Sequence, residues 1–387
     1  MNNILQLPAL KTPCYYYDLD LLRETLRVAT HEADKHAFRL HYAVKANANP
    51  RLLALIRSRG LGADCVSGNE VAAAIDSGFP AADIVYAGVG KSDDEIRRAL
   101  EADIFCFNCE SFPEMEVING IAASLGLRAR VALRVNPNVD AHTHRYITTG
   151  VEENKFGFYL HDLEAAIRRC RELPALEWLG LHFHVGSQIT DMEVFCELCA
   201  RVSDLQRHLA MHGLVPAHVN FGGGLGVDYD DPDEHSIPNF AAYLRVFADH
   251  FEARPGQQLH LEPGRSLVAQ CGSLVSRVLY VKEGRDKKFI ILDAGMSDLI
   301  RPALYQAHHA IENLTPSSAA RDLYDVVGPI CESSDCFAKA VDLPVTRRGD
   351  LIVLRSAGAY GEVMASRYNL RDLPPARFSD EGKASLA

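Results

Sequence analysis

From about residue 37 to residue 264 the chain alternates between two hydrophobic rhythms. Short β-branched or apolar runs, bounded by turn residues, read as buried strands. The stretches between them carry the three-to-four-residue spacing of amphipathic helices. The runs are "RLHYAVK" (39–45), "ADCVS" (63–67), "IVYAG" (84–88), "IFCFN" (104–108), "RVALRVN" (130–136), "LGLHFHVG" (179–186), "AHVNFGG" (217–223) and "LHLEPG" (259–264). Ser67 with Glu70, and Ser92 with Glu95, have the spacing of capping boxes, and Gly60 and Gly78 stand where helix C-terminal caps belong. Eight strand–helix alternations are what a (β/α)8 barrel requires, so the expected class is α/β. An open doubly wound sheet is the competing architecture. It carries a phosphate loop after its first strand, and no G-x-G-x-x-G follows "RLHYAVK".

Beyond residue 266 the pattern changes. β-branched runs at 274–281, 288–292, 324–330 and 350–354, separated by charged or Pro/Gly turns, predict an all-β domain. The expected organisation is an N-terminal segment (1–24) that joins this domain, the barrel (25–265) and the C-terminal β domain (266–387). The polar tail after Pro374 is expected to be loosely ordered.

Composition narrows the function classes. A chain of 387 residues with 48 % hydrophobic and 24 % charged residues has material for a sizeable core. Its net charge of −11, without long Lys/Arg runs, argues against a nucleic-acid partner. No run of 18 apolar residues suggests a membrane span, and "MNNILQLPALKTP" lacks the features of a secretion signal. The 10 cysteines therefore read as free thiols of a cytoplasmic protein. The pairs Cys106/Cys109 and Cys196/Cys199 lie too far apart for a zinc ribbon and read as packing residues, so no metal is expected.

Chemistry in such a barrel sits at the carboxyl ends of the strands. Those ends carry Lys45, Asp64, His184, "GGGLG" (222–226), and Glu262 with Arg265. A lysine at a strand end is by itself an ordinary solvated charge. Here it would share a mouth with a glycine turn after strand seven, where barrels hold phosphate. Lysine, phosphate site, carboxylate and imidazole together suggest a Schiff base to pyridoxal phosphate, with Glu262 at the pyridine nitrogen and His184 against the ring. The competing reading is metal binding by His182 and His184, which alternate about Phe183; it leaves Lys45, the glycines and Arg265 without a role.

"YAVKAN" (42–47), "HFHVGSQI" (182–189), "NFGGGLG" (220–226), "EPGRSLV" (262–268), "DAGMSDLIRPALY" (293–305), "GPICESSD" (328–335) and "GAYGEVMASRYN" (358–369) resemble the motif set of the diaminopimelate decarboxylases. These are barrel-type (fold type III) pyridoxal-phosphate enzymes related to the ornithine and arginine decarboxylases. "GVGKSDDEI" (88–96), "FNCES" (107–111) and "ENKFGF" (153–158) fit the same family, over residues 12–370 in order.

The resemblance implies decarboxylation of meso-2,6-diaminopimelate to L-lysine, the last step of lysine biosynthesis. It implies that Lys45 carries the cofactor, His184 stacks on its ring and Glu262 meets its nitrogen. Ser187, Gly223, Gly224, Gly264 and Arg265 would cradle the phosphate, with Tyr360 closing over it. Arg265, Arg301, Tyr305 and Tyr360 would contact substrate, Glu332 would receive the distal ammonium and Cys331 would donate a proton. It further implies a homodimer whose sites are shared, with Cys331 and Glu332 acting in the partner subunit's site. Each has a plainer alternative: Arg301 a surface arginine, Cys331 a packing cysteine in an apolar strand, and Glu262 and Tyr360 turn residues. Asp64 is left as a supporting residue. Alternatives from the same scaffold are a decarboxylase of ornithine, lysine or arginine, an amino acid racemase, and a pyridoxal-phosphate-binding protein without catalysis.

Overall fold

The computed structural model describes residues 4, 10–139 and 155–381. Two compact units result: Leu26–Gly226 with Asn239–Gly264, and Met1–Thr25 with Val227–Pro238 and Arg265–Ala387. Sixteen strands and ten α-helices are named below; β1 (Cys14–Tyr17) and the first part of α1 (Leu19–Asp34) precede the barrel.

The first unit is a closed parallel barrel of β2 (Arg39–Ala43), β3 (Gly62–Cys65), β4 (Ile84–Tyr86), β5 (Cys106–Cys109), β6 (Ala129–Arg134), β7 (Leu176–His182), β8 (His218–Asn220) and β9 (Gln258–Leu261). Its strands are buried on both faces, which is why they read as continuous apolar runs rather than as alternation. Between them run α2 (Pro50–Arg57), α3 (Gly68–Asp76), α4 (Asp93–Glu101), α5 (Phe112–Leu125), α6 (Leu163–Glu172), α7 (Glu193–Met211) and α8 (Phe240–His250). α4 shows how the sequence dictates such a helix. Asp93, Asp94 and Glu95 fill its first turn, the Glu95 carboxylate accepts the Ser92 N–H at 3.0 Å, and Ile96, Ala99 and Leu100 form the buried stripe. Ser67 caps α3 through the Glu70 N–H, but the Glu70 carboxylate turns to Val66 N–H instead of closing a box.

Inside the barrel, three histidines satisfy one another. His41 donates from Nδ1 to Asp83 O (3.1 Å), His260 Nδ1 to His41 Nε2 (2.9 Å) and His218 Nδ1 to His260 Nε2 (2.9 Å). Burial lowers the pKa of all three, so the chain of rings is neutral.

The second unit is a mixed eight-stranded sheet. β10 (Gly272–Glu283) is its spine, pairing antiparallel with β1 and β15 (Leu351–Leu354) along its first half and with β11 (Lys288–Leu292) along its second. β12 (Ile311–Asn313), β13 (Arg321–Val327) and β14 (Cys336–Pro344) extend it, and the short helices α9 (Arg265–Val268) and α10 (Arg301–Tyr305) lie in its connections. Two expectations need correction. The described part of the segment after Pro374, residues 375–381, is not loose: β16 (Ala376–Phe378) pairs with β1, and Ser379 Oγ accepts from Leu19 N–H at 3.0 Å. Residues 227–238, expected in the barrel, group with the sheet unit, because Asp228 O and His235 O accept the Gln270 amide and Asp233 pairs with Arg355.

Gly180 is fixed by geometry. It pairs with His218 between β7 and β8, and a Cβ there would lie 1.8 Å from the His218 carbonyl oxygen. Gly180→Ala must displace a barrel strand and is expected to cost about 3 kcal/mol. Gly120, exposed in α5 with open space about it, should behave oppositely: Gly120→Ala is expected to gain about 0.5–1 kcal/mol. Urea unfolding midpoints of the two variants check this, and midpoints shifted in the same direction would refute the close approach as the cause.

Candidate active site

At the carboxyl end of the barrel strands, β2 stops at Ala43 and Val44–Ala46 form one 3-10 turn, so Lys45 follows the strand rather than ending it. The Tyr42 hydroxyl donates to Asn47 O at 2.9 Å and pins this turn. The Lys45 side chain is 37 % exposed, and its Nζ lies 3.5 Å from Oδ2 of Asp64, which is buried at the end of β3. Oδ1 of Asp64 has no hydrogen-bond partner among the described residues.

Glu262, just past β9, is buried and heavily supported. Its Oε2 accepts from His182 Nε2 at 3.0 Å, while Oε1 accepts from Asn220 Nδ2 at 2.6 Å and Asn108 Nδ2 at 3.5 Å. Burial alone would raise this carboxyl; the His182 imidazole, its hydrogen bond and the Lys45 charge outweigh it and hold the group below the usual carboxylate range. Asp64 goes the other way. Burial first, then the Glu262 charge, raises it well above that range against the pull of Lys45. Two carboxyls in one mouth thus hold opposite protonation preferences.

His184 follows β7. The Gly223 N–H donates to its Nδ1 at 3.3 Å, and burial with the nearby Lys45 charge lowers its pKa well below the ordinary histidine value. The ring is neutral. Next to it the glycine turn after β8 is pinned to the following loop of β7: Ile189 N–H donates to Gly224 O and Gly226 N–H to Ile189 O, each at 2.9 Å, and Ser187 lies in that loop. A Cβ at Gly223 would stand 2.2 Å from the Glu262 carbonyl oxygen, so the turn can approach only as glycine. Gly264, the last residue of the barrel unit, packs against β2: a Cβ there would stand 2.9 Å from the Ala43 Cβ.

The remaining candidates belong to the sheet unit. Arg265 donates from Nη1 to the Tyr229 hydroxyl at 2.7 Å, and its guanidinium lies 4.8 Å from the Tyr360 ring centroid. Arg301, 5 % exposed, lies over the Tyr229 ring at 4.6 Å and donates to His309 Nε2 at 2.8 Å. Burial and the Arg301 charge push His309 down to about 3, so it remains a neutral acceptor. Tyr305 ends α10 and is half-buried. Arg301 is therefore not a surface arginine, and no carboxylate pairs with it among the described residues. Cys331 and Glu332 are exposed in the loop between β13 and β14. The apolar run expected to reach residue 330 ends at Val327, because the Asp335 carboxylate takes the Ile330 and Met296 N–H groups and turns the chain outward. Cys331 is not a packing residue.

His182, Asn108, Asn220, Tyr229 and His309 were not singled out as supporting groups from sequence. The "HFH" alternation and the asparagine before "FGGGLG" were visible signals for two of them; Tyr229 and His309 gave none. Glu153 and Asn154 of "ENKFGF" lie outside the described residues.

Comparison with known proteins agrees with this geometry. Residues 19–269 match the family model "Pyridoxal-dependent decarboxylase, pyridoxal binding domain". The chain is 57 % identical over 373 residues to the diaminopimelate decarboxylase of Bacteroides thetaiotaomicron, covering 96 % of each. It is 43 % identical over 364 residues to that of Neisseria meningitidis serogroup A, covering 94 % of this chain and 88 % of the relative. The crystal structure of the Helicobacter pylori diaminopimelate decarboxylase complexed with L-lysine superposes with a TM-score of 0.91 at 39 % identity, over 97 % of this chain and 93 % of that one. With its lysine, supported carboxylate and glycine turn at the barrel mouth, the chain belongs to the diaminopimelate decarboxylase family of pyridoxal-dependent decarboxylases.

Proposed function

We infer that the chain decarboxylates meso-2,6-diaminopimelate to L-lysine and carbon dioxide, using pyridoxal 5'-phosphate bound at the barrel mouth. The observation that carries this is the buried, hydrogen-bonded carboxylate of Glu262 in the mouth that Lys45 enters. The residues fit the cofactor. Glu262 offers a negative charge to a protonated ring nitrogen, neutral His184 offers a flat face, and the turn at Gly223 and Gly224 leaves room beside Ser187 and Gly264 for an anion. Bound there, pyridoxal phosphate supplies an aldehyde for the substrate amine and a conjugated ring that takes up the electrons released with carbon dioxide.

The chain's own groups do the rest. Lys45 supplies the amine that holds the cofactor between turnovers, and Asp64, 3.5 Å away, can keep or return the proton of that amine. The Glu262 anion keeps a proton on the ring nitrogen, since losing it would leave a buried charge unpaired. Arg265 and Tyr360 are assigned to the phosphate and to substrate, with Tyr305 beside them. Arg301 is assigned the second carboxylate of the substrate: it is a buried cation with no carboxylate of its own among the described residues. A substrate with only an ammonium at its far end would leave that charge unmatched, at about 3–5 kcal/mol.

Glu332 is assigned the distal ammonium and Cys331 the proton returned to carbon. Both are exposed on one loop, which supports a homodimer in which Cys331 and Glu332 act at the partner subunit's mouth. The ten free thiols support a cytoplasmic location, and no helix among the described residues is long and apolar enough to cross a membrane.

Carbon dioxide release from meso-diaminopimelate, L-lysine and L-ornithine tests the activity. The diacid is expected to lead in kcat/KM by more than about a hundredfold. Comparable turnover of ornithine or lysine would remove Arg301 from substrate selection, and no release from the diacid would refute the activity.

Sharing of sites has its own test. Lys45→Ala and Cys331→Ala are each expected to be nearly inactive. Mixed after demonstrated subunit exchange, they should recover roughly a quarter of wild-type activity, because half the dimers are mixed and each has one intact site of two. No recovery would mean that each chain completes its own site.

A further inference from the structure

On the outside of the barrel, α6 and α7 bring together two histidines and a carboxylate, none of them assigned a role above. His208 lies in the last turn of α7 and His212 follows four residues later, so the two rings share one helix face, with centroids 5.0 Å apart. Glu164, in the first turn of α6, faces both: its Oε1 accepts from His208 Nε2 at 2.7 Å and its Oε2 lies 3.6 Å from His212 Nδ1. One ligand atom from each residue falls within 4.8 Å of the others. The Arg168 guanidinium, 3.7 Å from Glu164, is the competing partner of the carboxylate.

We propose that Glu164, His208 and His212 form a divalent transition-metal site, zinc foremost, that ties α6 to α7. Two imidazoles four residues apart on a helix with one carboxylate from a second element are a donor set suited to Zn²⁺, with water completing a tetrahedron. Magnesium and calcium are disfavoured, since they need several oxygen ligands and this cluster offers one carboxylate. Metal–nitrogen and metal–oxygen bonds of about 2.0–2.2 Å require the three side chains to close slightly around the ion. All three are partly exposed, at 31–53 %, so they can do so. His208 must carry its proton on Nδ1 rather than Nε2 to bind, a tautomer change open to a ring in contact with water.

The test is calorimetric titration of Zn²⁺ into chelator-treated holoenzyme, with Co²⁺ absorption as a second probe. One Zn²⁺ per chain is expected, with the visible spectrum of four-coordinate cobalt. His208→Gln and His212→Gln should each weaken zinc at least about tenfold, and the double variant should lose the cobalt spectrum while keeping metal-free decarboxylase activity. Cys331→Ser should bind zinc as wild type does. Undiminished uptake by the double variant, loss of uptake in Cys331→Ser, or equal binding of Mg²⁺ would each overturn the site.

Discussion

Two buried carboxyl groups share the mouth of this barrel, and they cannot both be charged at low cost. The structure resolves the conflict by unequal support. Glu262 receives hydrogen bonds from His182, Asn220 and Asn108, whereas among the described residues Asp64 has only the Lys45 ammonium at 3.5 Å. The anion therefore settles on Glu262. His184, beside a lysine and enclosed by the glycine turn, stays neutral. The mouth thus offers one negative charge, on Glu262, and one uncharged ring, His184.

Only a closed barrel can provide this support, because each partner of Glu262 comes from a different strand. Asn108 lies on β5, His182 ends β7, Asn220 ends β8, and Glu262 follows β9. The same closure explains the glycines. Where β7 meets β8 at Gly180, and where the turn at Gly223 meets the Glu262 carbonyl, the approaching backbones leave no room for a Cβ.

The barrel was legible because its strands are buried on both faces and its helices begin with recognisable caps; Ser92 with Glu95 is a local signal that survives any tertiary context. Lys45 and Glu262 were legible for a different reason, that chemistry in such a fold gathers at strand ends. Which carboxyl keeps the charge was not. That depends on donors 42, 80 and 154 residues away from Glu262, a relation no local window contains. The sheet unit hid more. Arg301 in "LIRPALY" has the composition of a surface helix, and only the Tyr229 ring and His309 make it a buried cation. Cys331 sits in an apolar run that reads as strand, until Asp335 captures two backbone N–H groups and ends it early. The tail after Pro374 reads as loose because its strand is three residues long and takes its order from pairing with β1.

The protonation of Glu262 is open to direct observation. Infrared difference spectra between wild type and Glu262→Gln isolate the absorption of this one carboxyl. If His182, Asn220 and Asn108 hold it ionised, the carboxylate stretch persists unchanged from about pH 8 to about pH 5, where an ordinary glutamate begins to protonate. Appearance of a protonated-carboxyl C=O stretch within that range would contradict the assignment of the buried charge to Glu262.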